Sequence, residues 1–290
     1  MTIDIIIPTY NRFEILQETL ESVKAQTYPH WKCWIAEDGK TDKTFKAIKP
    51  FLSDDRFIYL PGQYAGSPAH PRNRGIQHGN SEYIAFLDDD DIWLPKKLES
   101  QLDFIQRHPD CVLLGCNAFR WSGSKTWNSS TPLYFQKKRF LGKIPYEAFV
   151  QDNHLIISSV MIRRKVLKQS GLFNENLSPL EIMAEDYELW LRIGVFGEIW
   201  NLEEPCVVYR ETPLTYYSKL NRKQNYESRA RILDSALKTL EANLISNPKS
   251  RRYLAACRYE RDFYLAGPRF LGRLRHEIVL KIKNRLSIPL

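Results

Sequence analysis

Residues 85–93, "AFLDDDDIW", place Asp88, Asp89, Asp90 and Asp91 directly behind a short apolar run. Two like charges about 4 Å apart repel by roughly 1 kcal/mol in water and about 4 kcal/mol at a partly buried site. Such a cluster calls for a cation, for protons, or for open solvent. An Asp-x-Asp set on a loop after a strand offers hard oxygen ligands suited to Mn²⁺ or Mg²⁺, ions that usually also hold substrate phosphates. The competing reading is a solvated acidic turn, with Asp91 capping the helix that follows.

A second stretch, "MAEDYELWLRI" (183–193), could carry a base. At helical spacing Asp186, Leu189, Trp190 and Ile193 share one apolar face, and Glu185, Glu188 and Arg192 lie on another. A carboxylate on a burying face is costly unless it has a partner or a task. Partial burial also raises its pKa towards what a general base needs. The alternative is a helix-start acid favoured by the dipole. Asp186 is the stronger candidate of the adjacent pair. The histidines show no metal-ligand spacing, and the five cysteines form no C-x-x-C pair. The thiols read as reduced core fillers in a cytoplasmic chain.

Both candidates need a scaffold, and the first hundred residues supply its pattern. "IDIII" (3–7), "WKCWIAE" (31–37), "RFIYL" (56–60) and "EYIAFL" (82–87) are strand-like runs separated by helical segments. Asn11 with Glu14 resembles a helix start, and a further helix opens at Pro71. This alternation predicts an α/β fold: a doubly wound, mainly parallel sheet with helices on both faces. Ligands of such sheets sit beyond the carboxyl ends of the strands, where Thr9, Tyr10, Asn11, Asp38 and Asp88–Asp91 should converge. Neither G-x-G-x-x-G nor G-x-x-x-x-G-K-[ST] occurs, so no dinucleotide or P-loop site is indicated. Past residue 110 strands are predicted at 111–119, 155–163 and 206–209, with a helix over 184–196 and further helices from 218 onward.

The net charge of +8 sits in the tail: residues 249–290 hold 11 Lys/Arg against 3 Asp/Glu, and residues 1–248 hold 31 of each. A whole-chain nucleic-acid partner is therefore not expected. No apolar stretch approaches the roughly 20 residues of a membrane span, and the N-terminus has no signal-peptide pattern.

Taken together, "IIIPTYNR" (5–12), "SVKAQTYPHW" (22–31), "EDGKTDKT" (37–44), "PRNRGIQHGNSEYIAFLDDDDIWLPKKLE" (71–99), "SSVMIRRKVLKQSGLFNENL" (158–177) and "EDYELWLRI" (185–193) resemble the inverting family 2 glycosyltransferases of GT-A fold. The motifs occur in the family's order over roughly residues 3–212. The resemblance implies a catalytic domain over 1–215, split into a nucleotide-sugar half (1–109) and an acceptor half (110–215). A basic, helical C-terminal extension (216–290) follows. It implies a nucleotide-diphospho-sugar donor, with UDP the leading nucleotide. Pro8, Tyr10, Asp38 and Arg72 would contact base and ribose. Asp90 would take Mn²⁺ or Mg²⁺, with Asp88 in its shell and Asp88 or Asp89 serving the ribose. Asp186 would be the catalytic base.

The processive members' Gln-x-x-Arg-Trp is absent, which favours transfer of a single sugar. No His follows the base over 187–220, and His70 and Pro71 stand where the family usually has small residues. A glycan or lipid-linked glycan acceptor is expected against Trp121, Trp127, Tyr134 and Trp190, with Glu185 beside the base; core packing is the alternative for Trp190. A nucleotidyltransferase, or a sugar-nucleotide-binding module without turnover, is the competing function. In the tail, "RFLGRLRHEIVLKIKNRL" (269–286) forms an apolar stripe with basic flanks. Either it lies on an anionic membrane, making the enzyme peripheral on the cytoplasmic face, or it packs on the catalytic domain.

Overall fold

The computed structural model describes residues 1–123, 126–137, 140–177, 184–211, 222–243 and 248–266. The chain opens with β1 (Ile3–Thr9), α1 (Phe13–Lys24), β2 (Trp31–Glu37), α2 (Asp42–Ile48), β3 (Phe57–Pro61), α3 (Ala69–His78) and β4 (Tyr83–Phe86). It continues through β5 (Ile92–Trp93), α4 (Lys97–Arg107), β6 (Cys111–Trp121), β7 (Gly142–Ile144), α5 (Tyr146–Phe149), β8 (Met161–Arg163) and α6 (Leu167–Ser170). Last come α7 (Glu185–Ile193), β9 (Glu198–Arg210), α8 (Arg222–Asn243) and α9 (Pro248–Ala266). One sheet runs in the order β3-β2-β1-β4-β8-β6-β9-β5, with β7 paired to β9.

The first four strands are parallel, which requires cover on both faces. Every residue of β1 is buried. Its side chains alternate across the sheet: Ile3, Ile5 and Ile7 pack with Leu16 and Leu20, while Ile6 packs with Phe86 and Trp190. Asp4 is fully buried yet satisfied. It accepts from Trp34 Nε1 (2.9 Å), Ser81 N (2.8 Å), Ser81 Oγ (3.0 Å) and Arg164, so its burial costs little.

The second half is mixed. β8 runs antiparallel to both β4 and β6, and β6 pairs parallel with β9. The strand expected over 155–163 begins later, because Ile157–Ser159 form a 3-10 turn; that turn faces the acidic cluster. Asn11 is not the cap of α1. It adopts φ 54°, a left-handed conformation that Asn tolerates, and it turns the chain out of β1 ahead of the helix.

α8 closes over α7: Ile232, Leu233, Ala236, Leu237 and Leu240 share one apolar cluster with Trp190. Several basic residues of α9 are spent internally, Arg252 on Glu147 (2.5 Å), Arg258 on Glu241 (2.6 Å) and Arg261 on Asp234 (3.3 Å). The stripe at 269–286 lies outside the described residues. No helix among the described residues is long and apolar enough to cross a membrane.

Candidate active site

Pairing of β4 with β1 ends as the Leu87 amide donates to the Ile6 carbonyl, 3.1 Å away, and the four aspartates follow at once. Their backbone is clamped from three elements. The Asp88 amide donates to Ser158 Oγ at 3.0 Å. Buried Thr19 Oγ1, on α1, lies 3.0 Å from the Asp89 carbonyl and 2.9 Å from that of Asp91. Arg210, on β9, donates its amide to Asp91 Oδ1 and Nε to the Asp90 carbonyl, both at 2.8 Å. With the backbone fixed this way, the carboxylates are left to face one another.

Asp88, Asp90 and Asp91 each place a carboxylate oxygen within 4.8 Å of the others. Asp91 Oδ2 is buried with no hydrogen-bond partner among the described residues. Burial first, then repulsion from the neighbouring aspartates, raises the pKa of both Asp90 and Asp91. An all-oxygen set whose charge is only partly answered by Arg12 and Arg72, with an orphaned buried acceptor, fits a hard divalent cation. Asp91 therefore belongs to the cluster and is no helix cap; α4 begins at Lys97 behind Lys96. Asp89 points elsewhere, towards Arg12 Nη1 at 3.4 Å. Burial raises its pKa to about 7, against the pull of Arg12. Arg12 also pairs with Asp90.

Of the expected donor contacts, Pro8 is buried near the end of β1, and Tyr10 stands just beyond the strand, 46% exposed. The Tyr10 ring lies against exposed Tyr64, centroids 4.8 Å apart. Asp38 is buried and accepts the amides of Ala65 and Gly66, each at 2.8 Å. Asp38 thus anchors the loop that carries Tyr64. Arg72, also expected to contact the donor, lies deeper in the site. It is 3% exposed and sits between two carboxylates, with Nη2 2.7 Å from Asp88 Oδ1 and Nη1 on Glu185.

The helix-face argument for Asp186 needs correction, because α7 is buried nearly all round. Glu188 and Arg192 form an internal pair at 2.6 Å, and Glu188 also accepts from Ser235 of α8. Asp186 is the one half-buried residue of α7. What distinguishes it is access, not an apolar face. Its Oδ1 accepts the Tyr187 amide at 2.6 Å. Burial raises its pKa to about 6, opposed first by the positive charge of Arg72. Glu185, expected beside the base at the acceptor, is 4% exposed and paired with Arg72.

Trp190 is a core residue. It is fully buried, packed on Phe86 (5.5 Å) and Phe173 (6.0 Å), and offers no face to a sugar. Trp121 is half-buried under Arg210, 4.5 Å from its ring centroid, which places it beside the acidic turn. Trp127 is half-buried against Phe119. Tyr134 is 41% exposed and sits on Phe135 and Tyr209. Sequence reasoning missed Thr19, Ser158 and Arg210, whose partners lie 70 or more residues away. It also missed Tyr64, whose one visible signal is an aromatic in a Gly/Ser/Pro-rich loop.

Comparison with known proteins gives the family and the fold. Residues 4–171 match the family described as Glycosyl transferase family 2. A relative from Escherichia coli, the UDP-Glc:alpha-D-GlcNAc-diphosphoundecaprenol beta-1,3-glucosyltransferase WfgD, is 29% identical over 192 residues, 66% of this chain and 69% of that one. The crystal structure of S. aureus TarS 1-349 in complex with UDP-GlcNAc superposes with a TM-score of 0.68 at 18% identity, covering 94% of this chain and 75% of that one. Mannosyltransferase PcManGT from Pyrobaculum calidifontis, in complex with GDP-Man and Mn²⁺, gives 0.61 at 15% identity, covering 98% and 80%. The two solved structures share the fold: a mixed α/β sheet of GT-A type with helices on both faces.

Proposed function

The chain belongs to glycosyl transferase family 2, and from that premise we propose that it transfers a single sugar from a UDP-sugar to a hydroxyl of a lipid-linked glycan, with inversion, in the synthesis of a surface polysaccharide. The observation that carries the reading is the placement of a half-buried carboxylate of raised pKa, Asp186, one ion-pair network away from the aspartate cluster.

Tyr10 and Pro8 would flank the nucleobase. Asp88, Asp90 and Asp91 would hold Mn²⁺ or Mg²⁺, whose chemistry there is to neutralise charge on a departing diphosphate. Asp186 accepts the proton of the acceptor hydroxyl as that oxygen attacks the sugar C1 from the face opposite the nucleotide. The bond from C1 to the diphosphate oxygen breaks and UDP leaves with its electron pair. One displacement inverts the centre, so an α-linked donor yields a β-glycoside. The activity for which the E. coli relative is named, a beta-linked glucosyl transfer from UDP-Glc to a diphosphoundecaprenol-linked sugar, supports this class of donor and acceptor. The acceptor sugar would meet Trp121 and Tyr134. A lipid-linked acceptor also favours a peripheral position on the cytoplasmic membrane face, served by the basic stretch 249–290.

The test is UDP release by the full chain across a panel of UDP-sugars, with and without a GlcNAc-diphospho-lipid acceptor and Mn²⁺. Acceptor-dependent UDP release with a matching gain in product mass supports the reading. UTP and sugar 1-phosphate formed from a UDP-sugar and added pyrophosphate, or binding without turnover for every donor and acceptor, overturns it.

A further inference from the structure

We propose that Arg72 and Glu185 form a buried clasp that fixes the helix carrying Asp186 to the donor-side aspartates, so that both act as positioning residues for the base and neither contacts donor or acceptor. This rests on Asp186 being the base.

The geometry is specific. Arg72 lies near the start of α3 and Glu185 at the start of α7, 113 positions apart, and they are 3% and 4% exposed. One guanidinium spans both sides of the crevice: Nη2 reaches Asp88 Oδ1 at 2.7 Å, and Nη1 reaches Glu185 Oε1. Its plane is backed by Phe173, 5.5 Å from the ring centroid. The next residue, Asn73, staples the same segment. Its Nδ2 donates to the Phe173 carbonyl (2.9 Å) and to Glu175 Oε1 (2.7 Å), and its Oδ1 accepts the Phe173 amide (3.0 Å). Two adjacent residues of α3 thus hold both the chain before α7 and the first residue of α7.

Such a pair is a weak device for stability, since burying both charges offsets most of their attraction. The clasp is also not saturated: Arg72 Nε and Glu185 Oε2 are buried without hydrogen-bond partners among the described residues. What it secures is register. Arg72 must stay on Asp88 and Glu185 together, and Asp186 follows Glu185 directly in the helix. Any slip of α7 relative to β4 would move the base away from the acceptor oxygen, and a misplacement of about 1 Å can cost about 10²-fold in rate.

The experiment compares Arg72→Met, Arg72→Lys, Glu185→Gln and the double variant Arg72→Met/Glu185→Gln with Asp186→Asn. For each full-length protein, kcat at saturating donor and acceptor is measured beside the UDP dissociation constant by calorimetry. Arg72→Met and Glu185→Gln should each lower kcat by about 10²-fold, with UDP affinity within about threefold of the parent, Arg72→Lys retaining part of the rate. The double variant should lose no more than the worse single one, because the two residues act as a unit. If Arg72→Met weakens UDP binding tenfold or more while Glu185→Gln leaves kcat alone, Arg72 is a donor contact and the clasp is wrong. Should Arg72→Met fail to fold, seen as loss of all UDP binding, the near-isosteric Glu185→Gln decides alone: unchanged kcat overturns the proposal. Additive losses in the double variant overturn it too. If Asp186→Asn keeps full turnover, the base assignment has failed; if Asp186→Asn is inactive while the clasp variants turn over normally, the clasp has.

Discussion

The parallel half of the sheet and the half built around β8 hold their carboxylates in opposite ways. Asp88, Asp90 and Asp91 stand at a strand end, the Asp88 amide on Ser158 and the Asp91 and Asp90 carbonyls on Thr19 and Arg210, while their side chains crowd within 4.8 Å of one another. Their repulsion is answered in part by Arg12 and Arg72. In the other half, Asp186 sits on a short helix buried on nearly every side, and the charges around it are answered internally by Arg72–Glu185 and Glu188–Arg192. A cluster left short of positive charge is suited to an incoming cation and its phosphates. A carboxylate surrounded by settled pairs is suited to taking a single proton without rearrangement. On the proposed reading, one half binds and the other reacts.

That contrast breaks most clearly at Asp186. Asp186→Asn keeps the shape but cannot accept a proton, so turnover should fall by about 10² to 10⁴ with UDP affinity unchanged. An equal loss in donor affinity would place Asp186 in the binding half. Trp190→Ala tests the packing that carries α7: removing a fully buried indole should cost about 3–5 kcal/mol of stability in denaturant unfolding. A stable protein that loses acceptor affinity instead would return Trp190 to the acceptor site. Asp90→Asn should abolish the Mn²⁺-dependent gain in UDP affinity by calorimetry. It should also leave the unfolding midpoint unchanged or raised, since one repelling charge is gone. Retention of the metal-dependent gain would remove Asp90 from the ion site.

The pH dependence is the smallest effect. Asp186 has a raised pKa, about 6, and as the proposed base it must be deprotonated. The rate should therefore be full above that value and fall as pH drops through it. An acid limb near the ordinary carboxylate range would mean that Asp186 is either solvated or not the base.

The parallel half was legible because its logic is local. Apolar runs predicted β1 to β4, and Asp88–Asp91 had to emerge where β4 ends. The other half depends on contacts between distant positions. Nothing near Arg72 announces Glu185, 113 positions on, and nothing near Ser158 announces Asp88. Helical periodicity misread α7 because α8 covers the side that would otherwise face water, burying Glu188 and Arg192 as a pair. Trp190 could be read as a sugar platform or as a core residue, and its full burial beside Phe86 and Phe173 decides for the core. Tyr64 was unreadable for the opposite reason: Asp38 positions it through the backbone amides of Ala65 and Gly66, and not through any side-chain pattern.

The central claim is a single displacement at C1 with Asp186 as its base. It is tested most directly by the anomeric configuration of the product, read by NMR from a UDP-α-sugar labelled at C1 and the lipid-linked acceptor. A β-glycoside formed in step with one equivalent of UDP is the predicted result. An α-linked product, or free sugar released without transfer, would contradict it.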